Sequence, residues 1–117
     1  MSIYKNYYVI AGYDLTGLTT DKYEDWQWGD GEKYVCYQSK GNFQLFNDPM
    51  SGEHLYFGYI LAAGDEYDFP TTKFNVEDVN SVKIAVENEL INLVNAGVID
   101  RVALLNKYQI IAFEECT

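Results

Sequence analysis

The feature that most constrains this chain is the run His54 to Gly64, His-Leu-Tyr-Phe-Gly-Tyr-Ile-Leu-Ala-Ala-Gly. It is the longest apolar run in the sequence, and it lacks the polar–apolar alternation of a half-exposed strand. Leu55, Phe57, Tyr59 and Leu61 fall on one face, and Tyr56, Gly58, Ile60 and Ala62 on the other. A strand with two apolar faces is covered on both sides or lies mid-sheet. At about ten residues it is half the roughly 20 that cross a bilayer. Gly58, set among aromatics, predicts a bulge or a close approach by a neighbour.

The rest of the chain has to be arranged around that strand. Its 117 residues, 48% of them hydrophobic, suffice for one domain over 1–117 with a real core. A net charge of −10 and a pI near 4.3 disfavour direct binding to a nucleic-acid backbone, since nothing would neutralise phosphate. Most of that charge, −7, falls in residues 1–70. The suitable partner is a basic protein surface. Cys36 and Cys116 form neither a CxxC pair nor a disulfide framework, which fits a reducing cytoplasm with no bond between them. The start, Met-Ser-Ile-Tyr-Lys-Asn-Tyr-Tyr, lacks the basic-then-apolar order of a signal peptide, and no membrane span is expected.

In chain order, Asn6–Leu15 reads as a strand ended by Thr16-Gly17. Leu18–Gly31 is acidic, and Trp26-Gln-Trp28 suits an extended arm over Tyr23–Gly29 turning at Asp30-Gly31. Lys33–Gln38 and Asn42–Phe46 are further strands joined by short turns, and with the His54 strand they imply an antiparallel meander. Asn75 is an N-cap with Asp78 at N3. Val79, Val82, Val86, Leu90 and Leu93 then mark one buried helical stripe ending at Gly97. Val102–Leu105 and Tyr108–Phe113 read as a closing hairpin turned at Asn106-Lys107. The expected fold is therefore α+β: an antiparallel sheet of about five to seven strands with an N-terminal meander, one long amphipathic helix on one face, and a C-terminal β-hairpin.

Catalytic patterns are missing from this sequence. His54, the sole histidine, has no nucleophile or orienting carboxylate fixed beside it by chain order. Asp65, Glu66 and Asp68 do not match a calcium loop, and Gly12 and Gly17 belong to no phosphate-binding glycine motif. No enzyme activity, cofactor or metal is expected. The aromatics carry more information: eleven Tyr and two Trp exceed the need of one small core, and both types are enriched at interfaces. The β propensity of Tyr offers the plain alternative that they fill strand faces.

Two readings follow. In the first, Asp21, Tyr23, Glu24, Asp25, Trp26, Trp28, Asp30 and Glu32, joined by Asp65, Glu66 and Asp68, form an acidic, aromatic surface for a basic groove. The profile (short, acidic, aromatic-rich, without a catalytic signature) resembles the small accessory proteins of phages and mobile elements. Some of those act as nucleic-acid mimics that inhibit host defence proteins in the cytoplasm. The second reading is a dimeric binder of a small-molecule or nucleotide-derived ligand, with a Tyr-lined pocket between sheet and helix and with Tyr56 or Tyr59 against the ligand. Ile84 and Ile91, on the helix flank away from the buried stripe, are the expected homodimer contact.

Overall fold

The β-branched and aromatic run near the N-terminus forms strand β1, Lys5–Asp14. The computed structural model describes residues 5–27, 29, 42–47, 54–65, 67, 68 and 73–116. After β1 come a short helix α1 (Tyr23–Gln27), strands β2 (Phe43–Asn47) and β3 (Leu55–Asp65), and helices α2 (Val76–Ser81) and α3 (Lys83–Asn95). A 3-10 helix over Arg101–Leu105 and strand β4 (Gln109–Cys116) complete the described elements. The fold is α+β.

The four described strands make one antiparallel sheet in the order β2-β3-β1-β4, fewer than the five to seven expected. The expected strand at 33–38, with Cys36, lies outside the described residues. β3, the strand predicted to organise the fold, is flanked by β2 and β1. The meander is corrected at β1, which sits between β3 and β4 instead of following its sequence neighbour. β3 and β4 both run antiparallel to β1 and so parallel to each other. Parallel strands need a long crossover, and the helical segment supplies it.

The expected hairpin at 102–113 is overturned. Val102–Leu105 belongs to the 3-10 helix, and only 109–116 is strand. The cause is Asp100, whose carboxylate accepts from the Val102 backbone N–H at 3.0 Å and starts a helical turn. Asn106 has extended backbone (φ −71°) instead of a positive φ, and its Nδ2 donates to the Asp14 carbonyl at 2.7 Å.

The helical stretch runs from the expected cap. Asn75 accepts from the Asp78 N–H at 2.8 Å, and Asp78 accepts in return from the Asn75 N–H at 3.4 Å, a capping box. It is interrupted at Val82, where α2 gives way to α3. The Ser81 hydroxyl donates back to the Asp78 carbonyl at 2.8 Å, a bond that bends helices. Gly97, at φ +80°, closes the end. The stripe packs as predicted: Val79, Val86, Leu90 and Leu93 are buried and Val82 is half-buried. Val86, Leu90 and Leu93 meet Tyr13, Leu45, Leu55 and Phe57 of the sheet, with Val98, Ile99 and Ala103 filling in beside them. No helix among the described residues is long and apolar enough to cross a membrane.

The other face of the sheet closes on itself. Phe113 lies opposite Tyr8 near the start of β1, while Tyr56 lies opposite Asp14 at its end. Six residues of straight strand would separate those levels by roughly 20 Å. Yet the Phe113 ring is 4.9 Å from Tyr56, 5.1 Å from Phe46 and 5.7 Å from His54. The sheet must therefore fold over this face. The register shift between Val9 and Ile10 and the facing glycines Gly12 and Gly58 lie where the fold occurs. His54 seals the corner: it stacks on Tyr56 at 4.6 Å and its Nε2 lies 3.6 Å from the Glu115 carboxylate.

Candidate partner-binding surface

Within the acidic arm Tyr23–Gln27 is helical, where an extended strand was expected. Thr19 bridges to Ile99, Thr20 N–H donates to the Val98 carbonyl at 3.0 Å, and Asp100 N–H donates to the Leu18 carbonyl at 2.8 Å. The Thr20 hydroxyl adds a 2.7 Å bond to the Gly97 carbonyl. These bonds fasten the arm to the end of α3, and the chain then turns into α1. Tyr23 and Trp26 are three apart, so a helix puts both on one face. Tyr23 is buried within the core, and Trp26 packs against the same cluster with its ring 5.9 Å from that of Tyr23. Of the arm's aromatics, Tyr23 and Trp26 thus belong with the core.

Its carboxylates point the other way. Asp21, Glu24 and Asp25 are all exposed, Glu24 and Asp25 in the first turn of α1. None of the three is paired with a Lys or Arg among the described residues. Trp28, Asp30 and Glu32 lie outside the described residues, as does Glu66. The second acidic group is separate. Asp65 ends β3, opposite Asn6 at the far end of β1 from the arm, and its carboxylate accepts from the N–H groups of Tyr67 and Asp68, both at 2.8 Å. That carboxylate is engaged in its own turn, and Asp68 is exposed beside it.

Burial pushes the Tyr23 phenol from its ordinary 10.0 up to about 12. Its hydroxyl has no hydrogen-bond partner among the described residues. Tyr23→Phe should therefore stabilise the protein, by up to about 1 kcal/mol, because an unsatisfied buried hydroxyl is removed. The raised pKa adds a pH signature. Stability from the neutral phenol is complete below the unfolded pKa and is lost as pH rises through the window from 10.0 to about 12. Tyr8, Tyr13, Tyr56 and Tyr108 are raised as well, chiefly by burial, and add to the alkaline loss. Denaturant midpoints of wild type and Tyr23→Phe should diverge across that window.

The tyrosines expected to line a ligand pocket are spent on packing. Tyr59 packs against the core and stands edge-on to Phe43 at 5.6 Å, and its hydroxyl accepts from Asn42 Nδ2 at 2.9 Å. Tyr56 belongs to the folded-over aromatic face. The described residues instead line an open depression of about 520 Å³ along β1 and β4, with Tyr7, Tyr8, Val9, Ala112, Phe113 and Glu114 around it. Of the two helix-flank isoleucines, Ile84 is 72% exposed while Ile91 is partly covered. Sequence reasoning missed the i, i+3 pairing of Tyr23 and Trp26, the signal that would have identified α1. The chain matches no known protein family, no curated protein and no solved structure.

Proposed function

We propose that this chain is a non-enzymatic acidic protein that occupies a basic, nucleic-acid-binding surface of another protein. In this reading it is an inhibitor encoded by a phage or mobile element and acts in the host cytoplasm. One observation carries the reading. Asp21, Glu24 and Asp25 are exposed on a segment whose backbone is bonded to residues 98–100, with Tyr23 buried in the core and Trp26 packed against it. Charges held on a fixed frame lose little freedom on binding, and they steer a basic partner during encounter. Tyr23 is then a positioning residue that holds the arm. Trp26 and the following Trp28, Asp30 and Glu32 extend the contact, and Asp65, Glu66 and Asp68 form a second, separate one. Self-association through Ile84 rests on a single exposed side chain, since Ile91 is partly covered.

The alternative is a ligand binder, and it draws on the depression beside Tyr7 and Tyr8. Capture from a bacterial lysate at low and high salt separates the two. The proposed function expects a basic protein retained at low salt and released at high salt. A small molecule that co-purifies without any protein partner would favour the alternative.

A further inference from the structure

Helices α2 and α3 hold the start of β4 at Tyr108. Its hydroxyl donates to the Val79 carbonyl at 2.6 Å, and its ring centroid lies 5.9 Å from Lys83 Nζ. Side chains alternate along a strand, so Ile110, Ala112 and Glu114 follow Tyr108 on the same face. All three are exposed, Ile110 by 49%. The register sets Ala112 opposite Val9 and Glu114 opposite Tyr7. Opposed residues share a face, so these four side chains make one surface beyond Tyr108. That surface is the open depression of about 520 Å³, and Tyr8 and Phe113 complete its lining.

The chemistry of the lining selects a ligand. The volume falls within the roughly 300–1,000 Å³ of small-molecule sites. Val9 and Ala112 supply apolar surface, and Glu114 is the only charged side chain among the described residues that line it. Tyr7 stands across the strand pair from that carboxylate, and β-carbons so placed are about 4.5–5.5 Å apart. One ammonium group can contact both, drawn to the aromatic ring and to the negative charge. Lys5, next outward from Tyr7 on the same face, makes no ion pair with Glu114, so that charge is not neutralised from β1. The net charge of −10 enriches cations at the surface and repels anions. We propose that this depression binds a small organic cation, with its ammonium between Tyr7 and Glu114 and its apolar body over Val9 and Ala112. A nucleotide-derived ligand is disfavoured there, because its phosphate would face Glu114. The inference rests on the ligand-binding alternative, which it narrows, and is independent of the acidic arm.

The test is a titration of the isotope-labelled full chain with benzyltrimethylammonium, read as amide shifts by NMR. Shifts should move at residues 7–9 and 112–114. Benzyl alcohol, which lacks the charge, should bind more weakly, and benzoate most weakly of all. Glu114→Gln and Tyr7→Leu should each weaken binding of the cation by about threefold or more. Glu114 is exposed, so its variant keeps the test informative if Tyr7→Leu fails to fold. Glu77→Gln makes the same change in net charge on α2 and should leave binding as in wild type. A titration that moves no amide at 7–9 or 112–114 would overturn the inference. So would benzoate binding as well as the cation, or Glu77→Gln weakening binding as much as Glu114→Gln. Capture of a basic protein by the arm is read in a separate experiment and can succeed or fail alone.

Discussion

Gly12→Ala should lower stability by about 3 kcal/mol, read as a shift in the denaturant midpoint without a change in slope. A Cβ at Gly12 would fall on the Phe57 carbonyl oxygen and lie 2.5 Å from the Cα of Gly58. A Cβ at Gly58 would in turn lie 2.5 Å from the Ala11 carbonyl oxygen. Both obstacles are backbone, so no side chain can rotate aside to relieve them. Any relief must part β1 from β3 where the sheet folds over, loosening the contacts of Phe113 with Phe46 and Tyr56. A loss below about 1 kcal/mol would mean that the strands do not approach as described.

Phe57→Ala should cost about 3–5 kcal/mol, the range for deleting a fully buried aromatic. Phe57 has no exposed surface and sits with Leu90 and Leu93 at the junction of helix and sheet. Ile84→Ala, on the exposed flank of α3, should change stability by no more than about 0.5 kcal/mol. Thermal or chemical unfolding of the two variants side by side checks the assignment of faces. Comparable losses would show that the helix is rotated from the orientation described.

The helix was legible because its evidence was local and redundant. Asn75 with Asp78, a repeating apolar stripe and a terminal Gly97 all pointed to the same span. The apolar strand was legible for a similar reason, since no other element leaves Leu55, Phe57, Tyr56 and Ile60 all in need of cover. The sheet order was not, because pairing β1 with both β3 and β4 is a long-range choice with no local marker. The fold-over was signalled in part by Gly58, but its partner Gly12 is recognisable only once the register is known. The hairpin at 102–113 failed because apolar runs around Asn106-Lys107 outweighed Asp100, whose capping role decides the local structure. The acidic arm failed in a similar way. Trp26-Gln-Trp28 suggested alternation, while the Tyr23–Trp26 spacing, which matches a helix face, carried the real packing. Of the carboxylates grouped from the sequence, Asp21, Glu24 and Asp25 are exposed together, whereas the Asp65 carboxylate is turned into its own loop.

The central claim is that the arm's carboxylates guide a basic partner to this protein, and one comparison tests it most directly. Glu24→Lys with Asp25→Lys reverses two charges on the arm. Glu77→Lys with Glu87→Lys makes the same change in net charge at exposed positions on α2 and α3. Association rates of wild type and both variants with the captured basic partner would be measured across a range of salt concentrations. The arm variant should associate more slowly and with a flatter salt dependence, while the helix variant stays close to wild type. Equal slowing of both would reduce the effect to net charge, and an arm variant that binds as wild type does would contradict the claim outright.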